Sequence, residues 1–64
     1  MFEYIGKKIR TEKKITVRRL AKMADIAPST ISKWENGSAV LDLAVLDLVA
    51  RAMKVQPFDL VKFV

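Results

Sequence analysis

Three features of the sequence predict an all-α fold of five short helices. Apolar residues recur at helical spacing along most of the chain. Residues that start and stop helices punctuate it, with Pro28 and Pro57 at entries and Asn36-Gly37 at an exit. The β-branched residues Ile15, Val17, Val40, Val45 and Val55 are scattered without the alternation of a strand.

Taken in order, Phe2, Ile5 and Ile9 fall on one side of a first helix over residues 3–13, with Lys and Arg filling the other side. Thr16 is placed to cap a second helix, residues 17–24, whose Leu20, Ala21 and Ala24 face inward. Pro28 suits the first position of a third helix that runs to Glu35, and Asn36-Gly37 tolerates the left-handed backbone of a helix end. Asp42 caps a fourth helix, residues 43–53. Gln56-Pro57 opens a fifth over residues 57–63, where proline's missing N–H costs least.

The second and third helices, joined through Ala24-Asp25-Ile26-Ala27, form a helix-turn-helix. Small Ala21 and Ala24 allow close approach, and Ile26 and Ile31 fill the angle between the helices. The third helix then projects as a narrow probe of a size that enters a DNA major groove. Trp34 is expected to pack across helices rather than to stack on bases, and Phe2, Tyr4 and Ile31 read as wall material.

Composition narrows the function classes. Sixty-four residues make one domain, near the size at which only about 60% of the unfolded surface can be buried. There is no Cys, so no disulfide or thiolate metal site, and no His, the commonest metal ligand and neutral-pH base. The carboxylates suggest no paired site, and Ser29 and Ser32 have no base to activate them. The expectation is a protein that is not an enzyme and uses no cofactor or metal. Twelve basic against seven acidic residues leave a net charge of +5, which points to a polyanionic partner. Seven of the basic residues come at or before Arg19. No apolar run approaches the roughly 18 residues of a membrane span and no signal-peptide pattern is present, so a cytoplasmic location is expected, nucleoid-associated when DNA is bound.

Residues 20–37, LAKMADIAPSTISKWENG, resemble the helix-turn-helix of the phage-repressor or Cro-like (Xre) family, whose pattern runs approximately L-A-x-x-A-G-V-S-x-x-T-I-S-x-W-E-x-G. Ile9-Arg10 and Ile15-Thr16 resemble the family's lead-in, and Leu43, Leu46, Val49-Ala50, Met53 and Val55 its fourth helix and exit. The likeness spans about residues 2–62 and implies a lambda-repressor-like domain over residues 1–64 that binds double-stranded DNA. It assigns base reading to Pro28, Ser29, Ser32 and Lys33, of which Lys33 can donate to guanine O6 or N7. It places phosphate contacts at Asn36, Gly37 and Ser38, with Thr30 serving either a phosphate or its own helix start. Arg10 is implied as the partner of Glu35, or alternatively as a direct backbone contact.

Departures from the pattern sharpen these expectations. Val17 stands where the family often has a phosphate-binding Gln, which shifts that task to Thr16, the helix N-terminus, or Arg18 and Arg19. Ala27 replaces a capping Ser, at a cost of about 0.5–2 kcal/mol, and Pro28 offers a base pair only apolar contact. Lys14 and Asp25 stand where glycine is frequent, which implies left-handed backbone at both.

The fourth helix carries an expected inward stripe of Leu43, Leu46, Ala50 and Met53, with Val49 beside it. A second apolar stripe, Leu41, Val45, Leu48 and Ala52, joins Phe58 and Phe63 as surface that one small domain cannot cover. The expected cover is a homodimer through the fourth and fifth helices, or a C-terminal domain beyond this chain. A dimer would act as a repressor on a palindromic operator. The alternative is a protein-interaction module of the same fold, of antitoxin or antirepressor type, with weak or no DNA binding.

Overall fold

Four α-helices, not five, make the body of the protein in a computed structural model that describes residues 2–37 and 41–63. They are α1 (Gly6–Glu12), α2 (Val17–Ala24), α3 (Pro28–Glu35) and α4 (Leu43–Met53). The expected fifth helix is a single 3-10 turn over Pro57–Leu60 that runs into a strand, β2 (Val61–Phe63). The expected first helix is shorter than residues 3–13, because Phe2–Tyr4 forms the matching strand, β1.

The two strands pair antiparallel, with Phe2 opposite Phe63, Glu3 opposite Lys62 and Tyr4 opposite Val61. Aromatic and β-branched residues two apart suit a pleated strand, and here they share one face of the ribbon. The Phe2 and Phe63 rings meet edge to face at 5.3 Å. Neither three-residue strand could persist alone. Each supplies the backbone partners the other lacks, and the Ile5 N–H donates to the Leu60 carbonyl at 2.7 Å to tie the ribbon to the 3-10 turn.

Helix α2 packs against both α3 and α4, so it sits at the centre of the core. It contributes Leu20, Ala21 and Ala24, the inward residues read from the sequence; α3 adds Ile31 and Trp34. From α4 come Leu46, Val49, Ala50 and Met53, and the 3-10 turn closes the core with Leu60. Leu43 does not belong to the inward stripe: it is 78% exposed. It is the first residue of α4, at the exposed end of that helix.

Three helices end in the same way. Lys14, Asp25 and Lys54 all have φ near +58 to +59°, in the left-handed region. The residue after each donates its N–H five residues back: Ile15 to Arg10, Ile26 to Ala21 and Val55 to Ala50. Ile15, Ile26 and Val55 then fold onto the core as apolar plugs. The positions expected to be left-handed from the missing glycines, Lys14 and Asp25, are so; Lys54 is a third.

Candidate nucleic-acid interface

The α2–turn–α3 unit is held by local chemistry. The Thr16 hydroxyl caps α2 by accepting the Arg19 N–H at 3.1 Å. Asp25 in left-handed backbone reverses the chain, and α3 begins at Pro28 with Ala27 making no side-chain cap. Ile31 and Trp34 anchor one side of α3 in the core, and Glu35 at its end turns toward Arg10 of α1. Pro28, Ser29 and Lys33 are exposed, and Ser32 and Thr30 half-buried. Thr16, Arg18 and Arg19 are exposed around the start of α2.

The loop after α3 differs in one respect from a set of free donors. The Asn36 N–H is spent on the Ser32 carbonyl at 3.0 Å and the Gly37 N–H on the Trp34 carbonyl at 3.1 Å. Closing the helix uses both groups, which leaves the exposed Asn36 side chain as the donor among the described residues of that loop. Gly37 adopts φ +72°, the left-handed conformation anticipated for it. Ser38 lies outside the described residues.

A charged clamp sets α1 against α3. Arg10 Nε donates to Glu35 Oε2 at 2.7 Å and Nη2 to Oε1 at 3.0 Å, a two-pronged pair. Its Nη1 also donates to the Ile15 carbonyl at 2.8 Å, so Arg10 holds both the end of α1 and the end of α3. The Glu35 hydrogen bond pushes the Arg10 pKa above its ordinary value. Beside the pair, Tyr4 packs against Trp34 with ring centroids 5.3 Å apart. Its ring lies over the first turn of α1, where a Cβ at Gly6 would overlap the Tyr4 ring and hydroxyl and displace them.

The surface residues expected to meet a partner protein divide in two. Leu41, Val45 and Ala52 are half-buried and packed on the core, whereas Leu48, Phe58 and Phe63 are exposed. Leu43 and Phe2, which sequence reasoning assigned to the interior, join the exposed set. No helix among the described residues is long and apolar enough to cross a membrane. No group of three His, Cys, Asp or Glu among them could hold a metal.

The charge is partitioned. Residues 2–37 carry nine basic and four acidic side chains, the whole net charge of +5. Residues 41–63 carry three of each. The surplus therefore surrounds α1, α2 and α3.

Comparison with known proteins agrees with this geometry. The family model described as helix-turn-helix matches residues 7–60. The crystal structure of a candidate DNA-binding protein from Bacteroides fragilis superposes with a TM-score of 0.85 at 31% identity, covering 97% of this chain and 100% of that one. No curated protein sequence matches the chain. An outward α3 beside a basic α2, on a frame shared with that protein and matched over residues 7–60, places the chain in the HTH_3 family of helix-turn-helix domains, related to the Xre- and Cro-type DNA-binding proteins.

Proposed function

We propose that this protein is a sequence-specific DNA-binding transcriptional regulator of the cytoplasm, acting as a repressor. In this reading α3 lies in the major groove, with Lys33 donating to guanine and Ser29 and Ser32 to nearby base edges. Pro28 contributes apolar contact to a thymine methyl. Arg18 and Arg19, with Thr16, Thr30, the Asn36 side chain and Ser38, hold phosphates and set the register. Arg10 and Glu35 brace α3 from behind. A two-fold pair of such domains would read a palindromic operator with half-sites about one helical turn apart.

The observation that carries the reading is the two-sidedness of α3. It buries Ile31 and Trp34 and turns Pro28, Ser29 and Lys33 outward, amid the half of the chain that holds all the net charge. Apart from Lys33 the reading side chains are short, so recognition rests on few base contacts and a narrow range of sites.

Selection of bound sequences from random duplex DNA tests this directly. It should return a two-fold site, and Lys33→Ala should then weaken binding to that site by about 10- to 100-fold while affecting random DNA much less. Equal losses on both would reduce Lys33 to a phosphate contact. Failure to retain any DNA would leave the protein-interaction module as the reading of the fold.

A further inference from the structure

We propose that Asn36-Gly37, at the end of α3, is a self-modification site where Asn36 exchanges its amide for a carboxylate, at a rate set by the opening of that helix end. Asn36 is the single asparagine of the chain, and it is exposed. Gly37 after it carries no side chain to shield the peptide nitrogen, which makes the pair the most labile amide the sequence can offer. A Cβ built on Gly37 would meet nothing within 4 Å among the described residues, so a ring can form there without displacing a neighbour. The chain's one glutamine supplies a contrast: Gln56 precedes Pro57, whose nitrogen has no proton to give up.

The reaction needs only water. The Gly37 nitrogen gives its proton to solvent base and attacks Asn36 Cγ. A bond from Cγ to that nitrogen forms, the Cγ–Nδ2 bond breaks, and Nδ2 takes up a proton and leaves as ammonia. Water then opens the five-membered imide at either carbonyl. Cleavage at Cγ leaves an aspartate in the ordinary chain; cleavage at the main-chain carbonyl leaves an isoaspartate whose backbone runs through Cβ and Cγ. Either product exchanges ammonia for water with no change of oxidation state.

The closed helix end holds this reaction back. Ring closure needs the Gly37 nitrogen to eclipse Asn36 Cβ about the Cα–C bond, but a ψ of −1° eclipses it with the Asn36 nitrogen instead. The Gly37 N–H is at the same time committed to the Trp34 carbonyl at 3.1 Å. Turning Asn36 into the reactive form breaks that one bond, and a single exposed bond at a helix end opens readily. Fraying stops one residue earlier, because both prongs of Arg10 pin Glu35. The clamp therefore sets how often the site opens.

The consequence rests on the DNA reading, whereas the chemistry does not. In that reading the Asn36 amide donates to a phosphate. A carboxylate in its place repels the phosphate and opposes the dipole at the C-terminal end of α3. The change is one-way, so DNA affinity declines with the age of the chain.

Ageing the folded full chain in mildly alkaline buffer tests the site, with intact mass, peptide mapping and an isoaspartate assay as readouts. Wild type should show the mass gain of an amide-to-acid exchange at Asn36, about 10- to 100-fold more slowly than the same chain in denaturant. Glu35→Gln, shown by melting to remain folded, should narrow that gap several-fold. Asn36→Gln, which would need a six-membered ring, should gain no mass. A folded wild type that gains none over that span, or that converts as fast as the denatured chain, would overturn the proposal. So would a Glu35→Gln rate equal to that of wild type. Aged protein and Asn36→Asp should both bind duplex about 10-fold more weakly than fresh protein, and undiminished binding would overturn the loss of grip. Fresh protein that retains no duplex would defeat the DNA reading instead, with the mass and isoaspartate yields still deciding the modification.

Discussion

Tyr4 concentrates the tensions of the small core at one side chain. Its ring stacks obliquely on Trp34 and covers Gly6, but its hydroxyl is the one buried side-chain polar atom without a partner among the described residues. Burial pushes its pKa up to about 12, the nearby Glu35 charge adds to the rise, and Arg10 opposes it. The raised value means that the folded chain holds the phenolic proton more tightly than the unfolded chain, whose tyrosine titrates near 10. The resulting stabilisation is complete below about pH 10 and disappears as the pH climbs through about 12. Tyr4→Phe should therefore remove this part of the alkaline loss. At neutral pH it should leave stability unchanged or higher by about 1 kcal/mol, since it deletes a desolvated hydroxyl that makes no bond. Paired thermal melts at neutral and alkaline pH check both effects. The chain has a single Tyr, so its ultraviolet titration reports the midpoint without ambiguity.

Among the elements, α3 has the plainest defect. Ala27 has φ −70° and ψ 137°, the extended backbone of a normal N-cap, but no side-chain oxygen. Pro28 spares one N–H, and the Thr30 N–H falls back on the Ala27 carbonyl at 3.1 Å. Ala27→Ser should restore the missing acceptor and stabilise the domain by about 1 kcal/mol, or roughly 4–8 °C in Tm, as read by calorimetry. This element was legible in the sequence because its signals are local: a cap position, a proline and Asn36-Gly37 all lie within a few residues of what they control. The helix-turn-helix and the reading face follow from them. The ribbon was not legible, because a three-residue strand shows too little alternation to stand out, and Phe2 finds its partner Phe63 only when the whole chain has folded. The same limit hid the exposure of Leu43 and Phe2, whose apolar character suits a core as well as a surface. Lys54 was not legible because, unlike Lys14 and Asp25, it was not read against a glycine of the family pattern, and only the apolar Val55 that plugs the core after it marks the helix end.

At the scale of the whole molecule, charge and greasiness lie in different parts of the chain, and each should answer to a different solvent variable. The cationic half surrounds the outward face of α3, while residues 41–63 are neutral and supply most of the exposed apolar side chains. Phosphate contacts release counterions, so DNA binding should fall steeply with salt. Two copies using Arg18 and Arg19 would hold four phosphates through arginine, which implies a log–log slope near −3.6 and about a 100-fold loss between roughly 50 and 200 mM salt. Apolar contact between copies has no such dependence, because it neutralises no fixed charge. Sedimentation over the same salt range should thus show an unchanged dimer while the DNA affinity collapses. Arg19→Ala should weaken binding to all sequences alike and flatten the slope by about 1 per copy, with the dimer untouched. A dimer that dissociated in parallel with the DNA complex would mean that the two halves share one electrostatic contact, against the partition of charge along the chain.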